Sequence, residues 1–155
     1  MSGIDTCLWF DGQAEEAADF YVAAFRAAGR PAQRGEDMRW PEDGRPLIAT
    51  AVLDGHTVIC LNGGPQYRPT PAVSFSVACG SQEEVDALWS ALLEGGEPMA
   101  CGWLTDRYGF SWQVFPRRLP ELLRDPDRAK AGRVMTTMQA MVKIDLAALE
   151  RAAEG

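Results

Sequence analysis

Apolar and polar residues follow two different periods along this chain, and each change of period marks an element. A short apolar run over 4–10 ends at Asp11-Gly12 and reads as a strand. Ala17, Phe20, Tyr21 and Ala24 then recur at i, i+3, i+4 and i+7, which puts four side chains on one face of an α-helix. That helix is expected to run to about Ala28 and to stop at Gly29, with Pro31 just beyond. Residues 31–46 are charged and turn-rich, with room for one irregular strand. Residues 47–53 and 57–61 read as two strands joined at Asp54-Gly55, a hairpin turn signal.

The pattern then starts again. Residues 72–79 form an apolar run, and Val85, Leu88, Trp89 and Leu92 repeat the helical stripe 68 positions after the first set. The polar residues repeat as well: Gly12 through Tyr21 is mirrored by Gly80 through Trp89. Ser81 followed by Glu84 is a capping box for the second helix. Gly95-Gly96 and Pro98 end it, and further strands are expected near 99–101, 103–106 and 110–115. Each half reads β-α-β-β-β, an open curved sheet backed by one helix, so the fold class is α+β. The expected organisation is a single domain over 1–155, with module one at 3–64, module two at 71–116 and a helical tail at 117–155. In that tail 119–123 is a helical turn, and Asp125-Pro126 supplies a cap with proline at the first helical position. Val134, Met135, Met138, Met141 and Val142 fall on one helical face, expected to pack on the domain or on a second subunit. Asp145 is expected to cap a last helix bearing Leu146 and Leu149.

Composition narrows the partners. Of 155 residues 46% are hydrophobic and 24% charged, so a core of ordinary size is expected. A formal net charge of −7 argues against nucleic acid or an anionic membrane, which need a basic face. Arg30, Arg34, Arg39 and Arg45 cluster, but Glu36, Asp37, Glu42 and Asp43 dilute them into a solvated loop. No apolar run approaches the roughly 18 residues of a membrane span, and the N-terminus lacks the pattern of a signal peptide. Cys7, Cys60, Cys79 and Cys101 form no C-x-x-C pair, so a reduced, cytoplasmic protein is expected.

Four strand-end segments carry a family resemblance: Thr6-Cys7-Leu8-Trp9-Phe10, Leu61-Asn62-Gly63-Gly64-Pro65, Cys101 through Asp106, and Phe110-Ser111-Trp112-Gln113-Val114. With the tail from Arg133 to Asp145, they resemble the PhnB-like branch of the vicinal oxygen chelate superfamily. That superfamily includes glyoxalase I, extradiol dioxygenases, and fosfomycin and bleomycin resistance proteins. The resemblance implies paired β-α-β-β-β modules and a divalent metal held by the first and last strands of each. Carried onto this chain, it places the four ligand positions at Thr6, Ile59, Ser74 and Gln113, the last following the turn from Asp106 to Gly109. Such a set lacks the carboxylate and imidazole donors that offset the dehydration of a dication, so no metal is expected. A register shifted by one residue offers Cys7 and Cys60 as a soft pair, although small core thiols are the expected reading.

Other chemistry finds little support. His56, the sole histidine, is expected in solvent at the hairpin tip, which leaves no base for a catalytic triad. Gly109 through Gln113 is not a nucleophile elbow, and Gly63-Gly64 is a lone pair rather than a phosphate loop. Members of this branch carry a demethylubiquinone methyltransferase label, yet no glycine-rich loop for S-adenosylmethionine stands here. What remains is a set of strand residues, Thr6, Trp9, Asn62, Phe75, Trp103, Ser111, Trp112 and Gln113, suited to a flat or amide-bearing small molecule. The expected protein is a metal-independent small-molecule-binding homodimer with no cofactor. Two alternatives stand beside it. One is a metal-dependent enzyme of the lyase, dioxygenase or antibiotic-modifying type, or one working through Gln113 and Asp106. The other is a partner-interaction module using the C-terminal helices.

Overall fold

Asp54 and Gly55 take positive φ angles of 50° and 81°, closing a two-residue hairpin between β4 (Pro46–Leu53) and β5 (His56–Asn62). Two left-handed residues in succession match the twist of the flanking strands, which explains Asp-Gly at this point. The computed structural model describes residues 3–155 and has two units, the first ending at Pro69 and the second spanning Thr70–Gly155.

In the first unit β1 (Thr6–Phe10) runs parallel to β5, and the sheet order is β1-β5-β4-β2. The charged segment holds two short strands where one was expected, β2 (Ala32–Arg34) and β3 (Met38–Arg39), both antiparallel to β4. Helix α1 (Ala14–Ala27) packs across β4 and β5. Its Ala17, Tyr21 and Phe25 are buried, as are Leu8, Phe10, Ala51 and Val58 of the strands. Phe20 of the expected stripe is only half-buried.

The second unit repeats this plan. Strand β6 (Ser74–Cys79) is parallel to β9 (Ser111–Pro116), and the order is β6-β9-β8-β7 with β8 at Trp103–Thr105 and β7 at Glu97–Pro98. The strand expected near 99–101 is displaced to β7, because Cys101, at a φ of 61°, turns the chain instead. Helix α2 (Gln82–Leu93) buries Val85, Leu88, Trp89 and Leu92, the stripe read from the sequence. Ser81 Oγ accepts the Glu84 N–H at 3.2 Å, and the Glu84 carboxylate reaches back to the Gly80 N–H.

The helices repeat at 68 positions but the strands do not. Leu8 and Phe10 are the buried residues of β1, while Val77 and Cys79 are those of β6, an offset of 69. The extra residue lies in the connection. Asp11-Gly12-Gln13 joins β1 to α1, whereas Gly80-Ser81 joins β6 to α2. Strand side chains alternate, so a slip of one residue moves each to the opposite face.

The tail forms α3 (Arg118–Leu123), α4 (Arg128–Gln139) and α5 (Leu146–Glu154) around Leu119, Leu122, Val134, Ile144 and Leu149. Asp127, not Asp125, caps α4, accepting the N–H groups of Ala129 and Lys130 at 3.1 and 3.2 Å. Asp125 instead accepts the Asp127 N–H and pairs with Lys130 at 2.8 Å, so Pro126 precedes the helix. Because α4 ends at Gln139, Met141 and Val142 leave the single face expected for them; Val134 is buried, whereas Met135 and Val142 are exposed. Asp145 does cap α5, through the Ala148 N–H.

The link between α4 and α5 is fastened to the sheet edge and to α2. Cys101 and Gly102 donate their N–H groups to Met141 O and Val142 O at 2.9 and 2.8 Å. The Gln82 amide spans Ile144 O and the Leu146 N–H at 2.9 and 2.8 Å, and Lys143 pairs with Asp86 at 2.8 Å. Among the described residues no helix is long and apolar enough to cross a membrane.

Candidate functional site

Register decides which side chains reach the open face of each sheet. In the first, Thr6, Leu8 and Phe10 lie beside Val58, Cys60 and Asn62, on the face that α1 covers. Thr6 is therefore not at an open corner; its Oγ1 lies 2.8 Å from His56 Nε2. His56 is not a solvent-exposed tip either. It is the first residue of β5, paired with Leu53 and half-buried. Asn62 Oδ1 accepts the Ala14 N–H at 2.9 Å, and its Nδ2 donates to Pro46 O at 3.2 Å. Gln13, the N-cap of α1, provides no side-chain bond, so Asn62 satisfies an orphan helix donor from a distant strand.

The open face of this sheet carries Cys7, Trp9, Thr57, Ile59 and Leu61. The Trp9 indole donates to Gly64 O at 2.8 Å, and its ring meets Tyr67 edge-on at 4.9 Å. The same ring covers Gly63, where a Cβ would lie 2.2 Å from it. Glycine is required there by close approach, and the Gly63-Gly64 loop is filled by an indole. Cys7 is exposed and pairs with Ile59, whereas Cys60 is buried and pairs with Leu8. The two thiols sit on opposite faces and cannot share an ion. Partial burial pushes the Cys7 thiol above its ordinary pKa.

In the second sheet Phe75, Val77, Trp112 and Val114 share the covered face. Phe75 stacks on Trp112 at 4.5 Å, and Trp112, only 1% exposed, is a core residue whose burial alone contributes about 1.5–3 kcal/mol. Asp106 is also buried. It accepts the Trp112 indole N–H at 2.9 Å and the N–H groups of Tyr108 and Phe110 at 2.9 and 3.1 Å. This carboxylate builds the turn before β9.

Trp103, Ser111 and Gln113 are brought together on the open face, with Ser74, Ser76 and Phe115. Trp103 pairs with Gln113 across β8 and β9, and Gln113 Nε2 donates to Ser74 Oγ at 2.9 Å. Ser111 Oγ is buried with no hydrogen-bond partner among the described residues. A cleft of about 310 Å³ opens over this face. Its floor is Ser76, Trp103, Gln113 and Phe115, its roof Leu119, Leu123 and Arg124 of α3 and its end with Met138 of α4, and Cys101 stands at the edge. The methionine periodicity pointed to Met138 as a packing residue; no sequence signal singles out Arg124.

The ligand positions expected from the resemblance do not fit a divalent metal. Thr6 is on the covered face, Ile59 offers no donor, and Ser74 and Gln113 bond each other. Among the described residues no three of His, Cys, Asp or Glu gather to hold an ion.

The family described as 3-demethylubiquinone-9 3-methyltransferase matches residues 2–115. The PhnB protein of Bacillus cereus is 30% identical, with 74% of this chain and 99% of that one covered at a TM-score of 0.65. A Pseudomonas aeruginosa protein is 20% identical over 73% of this chain and 96% of its own, at a TM-score of 0.55. The fosfomycin resistance protein FosX of Listeria monocytogenes shares the fold at 16% identity, a TM-score of 0.54 and coverage of 81% and 99%. No functionally curated protein matches the chain significantly. By its family match and its two repeated strand-helix-strand units, the chain belongs to the 3-demethylubiquinone-9 3-methyltransferase family, in the PhnB-like branch of the vicinal oxygen chelate superfamily.

Proposed function

We propose that this protein binds a small organic molecule, without a resident metal, on the open face of its second sheet beneath α3 and α4. One observation carries the reading. The cleft has an amide and an indole on its floor and an apolar roof edged by Arg124, while the positions that would hold a metal carry no set of charged donors. The family description names a methyl transfer, which needs a cradle for the methyl donor. The Gly63-Gly64 loop, the nearest approach to one in the sequence, is filled by the Trp9 ring. The reading extends to a cytoplasmic homodimer, supported by four cysteines that no disulfide joins and by the exposed Met135 and Val142 on the tail.

Elemental analysis of protein purified without chelator tests the metal claim. Zinc, manganese, iron and nickel are expected well below one equivalent, and a full equivalent of any of them overturns it. A monomer by sedimentation removes the dimer but leaves the binding site standing.

A further inference from the structure

The geometry points to a planar aromatic carboxylate as the class of ligand held in this cleft, an assignment that rests on the binding role proposed above. Arg124, exposed at the end of α3, lines both this cleft and the neighbouring groove. Its backbone N–H donates to Pro120 O at 3.1 Å, fixing it at the end of α3. Among the described residues no carboxylate pairs with its guanidinium. Asp125, its chain neighbour, is held by Lys130 at 2.8 Å, and Glu121 is held by Arg118 at 2.9 Å. Its guanidinium is therefore available to an anion that enters the cleft it lines. Its planar fork matches a carboxylate in two parallel hydrogen bonds.

The rest of the cleft selects the body of the ligand. Trp103 and Phe115 supply aromatic surface, and Leu123 and Met138 supply apolar walls. One end of the Gln113 amide is held by Ser74, so Oε1 remains an acceptor for a ring hydroxyl. A cleft of about 310 Å³ accommodates one or two fused rings. The ligand class is therefore a flat ring system with a carboxylate at one end and a hydrogen-bond donor at the other.

Hydroxynaphthoate, which is itself fluorescent, and its neutral carboxamide are the probes. Both are titrated against the full-length protein and against Arg124→Gln, Arg128→Gln and Ser76→Trp. Ser76→Leu serves as a smaller plug, and circular dichroism checks each fold. The acid is expected to bind about tenfold more tightly than the amide, the ratio set by one charge-assisted contact at an exposed arginine. Arg124→Gln should weaken the acid about tenfold and leave the amide unchanged, and both plugs should abolish both. Arg128, which lines the neighbouring groove with Leu123 and Arg124 but not the cleft, is the control and should have no effect. Equal binding of acid and amide, or an Arg124→Gln variant that binds the acid normally, overturns the carboxylate assignment. If the plugs still block binding, the cleft itself survives. Failure of both compounds to bind, or binding that ignores both plugs, overturns the cleft and the assignment together.

Discussion

Trp112 donates its indole N–H to Asp106 Oδ2 across 2.9 Å, with the two residues 1% and 3% exposed. Asp106→Ala would take this acceptor from that donor and from two backbone N–H groups. Bonds to a charged group contribute about 1.5–3 kcal/mol each, and partial relaxation recovers some of the loss. We expect a fall of about 3 kcal/mol in unfolding free energy by urea titration, and roughly half of that for Asp106→Asn. A variant as stable as the parent would mean that the turn before β9 does not depend on this carboxylate.

Gly63→Ala tests the Trp9 lid. The added Cβ would meet the ring at 2.2 Å, so the indole must leave its place or the loop must shift. Overpacking of this kind costs about 1–3 kcal/mol. The loss should be read in parallel with a Trp9→Phe background, in which a smaller penalty is expected because the ring that clashes is smaller.

The four thiols should separate by reactivity. Cys7 is exposed, Cys101 is intermediate, and Cys60 and Cys79 are 0% exposed. Iodoacetamide followed by peptide mapping should label Cys7 first and reach Cys60 and Cys79 only on unfolding. Since burial raises the Cys7 pKa, its labelling rate should keep climbing above pH 8.5, where a free thiol is already half ionised. Early labelling of Cys60 would contradict the assignment of β5 side chains to faces.

The tail clasp should loosen in acid. The Lys143 ammonium, and after it the Gln82 amide, holds the Asp86 carboxyl below the usual carboxylate range. A group depressed in the folded state contributes stability above its unfolded pKa of about 3.9, and that contribution disappears as pH falls through the folded value. The Asp86 side chain is 46% exposed, so the screened effect is only about 0.5 kcal/mol. Gln82→Ala should do more, about 1–2 kcal/mol, because it removes two bonds to the link. Hydrogen exchange at the Gly102 and Leu146 amides reads both effects. Asp86→Asn should erase the acid dependence without unlatching the link at neutral pH.

Helices α1 and α2 and the hairpin partners β4 and β5 follow from periodicity and turn chemistry that are local in the chain; the pairing of each first strand with the last of its unit does not. Faces were harder to read. Matching Ala17 to Val85 assigns the helices correctly, but carrying the same offset into the strands pairs Thr6 with Ser74. The one extra residue in Asp11-Gly12-Gln13 breaks that correspondence. The burial of Leu8 and Phe10 reveals the slip, and burial is a property of the folded chain. The same dependence on faces hides the partners of Asn62, Phe75 and Trp112, which are Ala14, Trp112 and Asp106. The roof of the cleft was hidden for another reason. Arg124 and Leu123 line one cleft with Gln113 and Trp103 only because α3 folds back over the sheet, a placement with no sequence period of its own.

Main-chain bonds from Cys101 and Gly102 anchor the segment after α4 whatever side chains it carries. The exposed rim of the cleft is thereby left out of the attachment. Leu123 and Met138 also pack on the tail core, so on the binding role proposed above it is the exposed Arg124 whose replacement would retune the cleft while the tether and the duplicated scaffold stay in place. Diversity of cargo in such a lineage would accumulate in the appendage, and the ancient repeat would merely carry it.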